Sequence, residues 1–117
     1  MNGCLLMGIR QFEKKKPLNS GLNDFIITLI DFDEEPKKLA SFCVLQVYCT
    51  GGENHEIIKF DTAHGFCHVH RYYRNLQDKG EKLIGKEISQ KAFDECREDI
   101  KCNWRKYRKW FISKWLK

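Results

Sequence analysis

A chain of 117 residues that is 42% hydrophobic with a net charge of +5 has the size of one domain with one buried core, and little material for a second. No apolar run approaches the roughly 18 to 20 residues of a membrane span. "CLLMGI" at the N-terminus lacks the basic and small-residue flanks of a secretory leader. The expectation is therefore a soluble, cytoplasmic protein with no membrane partner, a monomer or a dimer. Its six cysteines form no CxxC pair and lie largely among apolar neighbours, which predicts reduced thiols instead of a disulfide framework.

In chain order, residues 1–23 contain "EKKKPLNSGLN", whose charge run, Pro17 and Gly21 predict an irregular lead-in. Residues 24–74 carry "DFIITLIDF", "ASFCVLQVYCT", "HEIIKFD" and "FCHVHRYY", rich in β-branched and aromatic residues, which predict about four strands. "TGGEN" supplies the two glycines of a tight hairpin, and "TAHG" a second short turn, so the strands should form an antiparallel meander. Residues 75–88 read as a connection. From Ser89, a plausible N-cap, Phe93, Cys96, Ile100, Trp104, Tyr107, Phe111 and Trp115 recur every three or four positions, the stripe of a long amphipathic helix over 89–117. The predicted fold is a single α+β domain, a sheet backed by its C-terminal helix.

The basic character is concentrated in that helix. Seven of the 21 basic residues and none of the 16 acidic ones fall between Lys101 and Lys117. Cations near a helix C-terminus complement its dipole, while Arg105, Lys106 and Lys109 around the off-stripe Trp110 also have the composition of an RNA contact. Trp110 and Leu116, both off the stripe, are the aromatic and apolar residues expected to touch a partner.

The segment "DTAHGFCHVHRYYR" places three of the four histidines, an aspartate, two tyrosines and two arginines in fourteen positions. Strand alternation puts His68, His70 and Tyr72 on one face and Cys67, Val69, Arg71 and Tyr73 on the other. If Cys67 and Val69 join Ile58 and Phe60 under the helix, the histidines lie on the open face, with His64 in the adjoining turn and Asp61 near enough to orient one of them. Two chemistries fit. In metal-free RNA cleavage, histidines act as base and acid, with Tyr72 at hand and Lys59 or Arg71 stabilising the phosphorane. In a divalent metal site, zinc above all, His68 and His70 bind with His64 or Asp61 as third ligand. A hydrogen-bonded structural cluster is the alternative to both, and His55 reads as a surface histidine.

"KFDTAHGFCHVHRYY" resembles a signature of small archaeal and bacterial proteins in which a strand ending in Asp-x-Ala-His-Gly is followed by His-x-His. It is similar to the core of TumE-like toxins of type II toxin–antitoxin systems, which carry Asp-Asn-Ala-His-Gly followed by His-Arg-His. Asp61, Ala63, His64, Gly65 and the histidine pair match over about fifteen residues, whereas Thr62 replaces Asn and Arg71 follows the pair instead of dividing it. The C-terminal tail resembles an archaeal set that shares Asp-Thr-Ala-His-Gly. The resemblance implies a ribonuclease toxin of a toxin–antitoxin system; joined to the histidine chemistry above, the leading reading is a metal-independent endoribonuclease toxin neutralised by a protein antitoxin. His64, His68, His70, Asp61 and Tyr72 would be its catalytic residues, with RNA contacts from Lys59, Arg71, Arg74 and the helix cations. The competing reading is a non-catalytic RNA- or protein-binding module centred on the basic, tryptophan-rich helix.

Overall fold

The structure, a computed structural model, describes residues 9–34, 37–63 and 65–116, and within them six antiparallel strands and one helix. The strands are β1 (Ile9–Pro17), β2 (Asp24–Glu34), β3 (Lys37–Thr50), β4 (Glu53–Asp61), β5 (His68–His70) and β6 (Glu81–Lys82), followed by α1 (Gln90–Trp115). They pair in sequence order as one meander, so every connection is local. The β3–β4 hairpin turns on Gly51 and Gly52, both at positive φ (58° and 80°), where a side chain would be strained.

Two strands more than expected are present, at opposite edges of the sheet. β1 occupies the stretch read as an irregular lead-in. Its residues "IRQFEKKKP" show no apolar alternation because an edge strand pairs on one side only, here with β2, and the helix packs on β3 and β4. Pro17 is tolerated as the last residue of that edge strand. β6 lies in the predicted connection and is only two residues long. β5 is also short. It stops at His70, and the chain then turns through residues 71–75 instead of continuing as a strand to Tyr73.

α1 is capped as expected, the Ser89 hydroxyl accepting from the Ala92 N–H at 3.1 Å. Ala92, Phe93, Cys96, Ile100, Trp104, Tyr107 and Phe111 are its buried residues, and they pack on Phe42, Val44, Ile58, Phe60, Cys67 and Val69 of one sheet face. A polar latch joins the two layers, since Gln46 Nε2 donates to the Trp104 carbonyl at 2.9 Å. One helical turn further on, Arg108 pairs with the fully buried Asp24 at 2.8 Å. Leu116, expected to face a partner, packs instead against this core. Cys43, Cys49, Cys67, Cys96 and Cys102 are free thiols, and burial pushes Cys96 up to about 12. No helix among the described residues is long and apolar enough to cross a membrane.

Candidate functional site on the open sheet face

The register decides which side chains meet. Cys43 lies opposite Asp61 and Asp61 opposite His68; Leu45 lies opposite Lys59 and Lys59 opposite His70. Directly opposed residues of antiparallel strands share a face, so these two rows stand together on the face away from α1. Val44, Phe60 and Val69 form the alternate row beneath the helix. The face assignment expected from alternation is the one observed.

On that open face the Asp61 carboxylate is bracketed by two imidazoles. His68 Nε2 is 2.5 Å from Asp61 Oδ1, and His70 Nε2 is 3.4 Å from Oδ2. The three side chains are only 6%, 13% and 12% exposed for His68, His70 and Asp61 respectively. Each ring is held from behind by a backbone carbonyl, His68 Nδ1 by Phe66 O at 3.2 Å and His70 Nδ1 by Asp78 O at 3.0 Å. A carbonyl oxygen can only accept, so both rings carry a proton on Nδ1. In the neutral form each therefore presents the Nε2 lone pair toward the carboxylate. A proton or a metal ion must stand between for such an arrangement to be attractive.

A second pair borders the first. Lys59 Nζ lies 3.7 Å from Asp61 Oδ2, with the Tyr72 phenol as its electrostatic neighbour. Burial works against the charge on Lys59, but Tyr72 and Asp61 outweigh it and hold the ammonium above its ordinary range. Burial likewise raises the Tyr72 phenol, with Lys59 opposing. The Tyr72 ring stacks on His70 with centroids 5.6 Å apart. Across the sheet, burial pushes the Cys43 thiol up to about 11.

Several residues that organise this site carry no obvious chemical signature in the sequence. The Thr62 hydroxyl takes the Phe42 N–H at 3.0 Å and lies 3.3 Å from the Phe42 carbonyl, tying the end of β4 back to β3 just beyond Asp61. Asp78 anchors the return loop: its carboxylate accepts from the Arg71 and Gly80 N–H groups at 3.1 and 2.7 Å, while its carbonyl holds His70. The turn-forming "DKG" is the only cue to it. Gly80 then passes directly over both imidazoles, and a Cβ there would come within 2.8 Å of His68 Cδ2 and 2.9 Å of His70 Cε1. Its φ of +98° is also costly for other residues. Gly80→Ala is expected to lower stability by about 1 to 3 kcal/mol and to displace the histidine pair. Thermal melting and the histidine ring NMR resonances check this; an unchanged melt with unmoved resonances contradicts the packing described.

The residues expected to form one site are thus divided. Asp61, His68, His70, Tyr72 and Lys59 converge. Arg71 turns to the helix side, where it pairs with Glu81, and Arg74, Arg105, Lys106, Lys109 and Trp110 all lie on the helix side of the sheet. His64 lies outside the described residues. His55 is half-buried, its ring 5.5 Å from Phe111 and 6.5 Å from Tyr48, and so is less of a surface residue than expected.

Fold and site together define a class of small α+β protein: an antiparallel meander covered on one face by a single helix, with a two-histidine, one-carboxylate cluster on the other. The family model described as "Domain of unknown function (DUF7718)" matches residues 14–116, and the chain belongs to that family. No curated protein and no solved structure matches the chain.

Proposed function

We propose that the protein is an RNA-cleaving hydrolase whose reaction centre is a divalent metal ion, zinc above all, held by Asp61, His68 and His70. The observation that carries this reading is the convergence of both Nε2 atoms and the carboxylate, each ring being fixed through Nδ1 by a backbone carbonyl. Metal-ligating histidines are oriented in this way, the second nitrogen donating to a carbonyl or carboxylate. One potential ligand atom from each residue lies within 4.8 Å of the others, close enough to gather around a single ion. Two imidazoles and a carboxylate suit zinc, and three protein ligands leave a position for water or substrate.

Metal-free cleavage makes a different demand. Base and acid must address the attacking and the leaving oxygen, which lie on opposite sides of the phosphorus. His68 and His70 instead aim at one point, and that point is occupied by Asp61. The geometry therefore favours the metal alternative over the metal-independent histidine mechanism. Lys59 beside the cluster supplies a cation for a phosphate, with the Tyr72 hydroxyl as its neighbour. RNA as substrate, and a protein antitoxin as partner, rest on the Asp-x-Ala-His-Gly…His-x-His resemblance.

The test is cleavage of single-stranded RNA by protein stripped with chelator and then reloaded. Activity should disappear on stripping and return with zinc. Cleavage that is indifferent to chelator but blocked by a 2′-deoxy substitution at the cut position would restore the metal-free histidine mechanism.

A further inference from the structure

On the helix side of the sheet, Trp110, off the stripe, is 44% exposed, whereas the aromatic residues of the stripe are occupied in packing. Beneath it, Tyr73 lies with ring centroids 5.3 Å away, and Tyr73 in turn stacks on Tyr107 at 5.1 Å and 14°. Tyr73 and Tyr107 are both buried, so they hold the indole in place while only the indole offers surface. Lys106 and Lys114 flank Trp110 at i−4 and i+4, on the same face of α1. Lys106 Nζ stands 5.3 Å from the indole centroid. Lys114 Nζ donates to the Arg74 carbonyl at 2.7 Å, drawing Arg74 to the same place, with its guanidinium 5.8 Å from the Tyr73 ring.

From this arrangement we propose that Trp110, with Arg74, Lys106 and Lys114, is a docking platform for single-stranded nucleic acid, the indole stacking on a base and the cations taking flanking phosphates. Single strands are bound without sequence preference by aromatic faces set in a positive surface. The charge fits, because no acidic residue occurs from Lys101 onward. An acidic polypeptide would gain from the cations but has no regular planar ring to set on the indole. A membrane surface would require an apolar helix face, and that of α1 is spent on the sheet. This proposal does not depend on the metal centre, which lies across the sheet.

Fluorescence anisotropy of short labelled oligouridine and oligothymidine, in chelator so that no cleavage occurs, tests it. Both strands should bind at low salt and more tightly than a duplex of equal length. Trp110→Ala should weaken binding about tenfold and Trp110→Phe much less, since stacking on the aromatic ring carries the affinity. Lys106→Ala should reduce the salt slope by about 0.7, as the loss of one phosphate contact does. No binding, an unaffected Trp110→Ala variant, or displacement by polyglutamate as readily as by RNA would overturn the platform. Each of these would leave the zinc-dependent cleavage test standing on its own.

Discussion

Replacing Trp104 by Ala is expected to cost about 3 to 5 kcal/mol of folding stability, as large-to-small changes in well-packed cores do. The indole is 5% exposed in the middle of the helix stripe, and the Arg105 and Arg108 guanidinium groups lie 4.5 and 5.2 Å from its ring. Its removal opens a void between α1 and β3 close to the point where Gln46 reaches the Trp104 carbonyl. Trp110→Ala in the same helix removes a ring that is 44% exposed and should cost much less. Denaturant unfolding of the two variants side by side checks the assignment. Equal losses would mean that the helix presents a different face to the sheet.

The second large effect is on metal affinity. His70→Gln and Asp61→Asn should each weaken zinc binding by more than 100-fold, because loss of even an outer partner of a ligand costs about 10- to 100-fold and in the proposed site these residues supply the donor atoms themselves. His55→Ala, half-buried against Tyr48 and Phe111 and outside the Asp61, His68 and His70 group, should leave affinity unchanged. Circular dichroism of each variant separates lost coordination from lost fold. His70, its side chain 13% exposed against 6% for His68, is the better probe, since the His68 ring also packs beside Phe66. If the variants retain wild-type affinity while remaining folded, the cluster is a hydrogen-bonded structural element and the ion binds elsewhere.

The parts of the fold that bury one face were legible in the sequence. β2, β3 and β4 show apolar, β-branched runs, and the α1 stripe repeats at helical spacing, because in both cases burial imposes a period. The histidine face followed from the same alternation once Cys67 and Val69 were placed under the helix. The edges were not legible. β1 is not held by a buried face, so "QFEKKKP" reads as charge and Pro17 when it is in fact a strand paired backbone to backbone with β2. β6 has only Glu81 and Lys82 to announce it, and its pairing with His68 and Val69 depends on the Asp78–Gly80 turn bringing it back. The same long-range return explains why the site was only half readable. The proposed ligands Asp61, His68 and His70 lie close together in sequence, but the carbonyl of Asp78 and the close approach of Gly80 are tertiary consequences with no local signature. The helix cations and the histidines, both read as groups that meet RNA, stand on opposite sides of the intervening sheet.

In the proposed site the two Nε2 atoms and the Asp61 carboxylate share one metal ion. Isothermal titration of zinc into chelator-stripped protein, repeated on the His70→Gln and Asp61→Asn variants, tests that claim most directly. One site per chain, tight in the parent and lost in both variants, is the result predicted. No saturable binding, or one that persists unchanged in both variants, would contradict it.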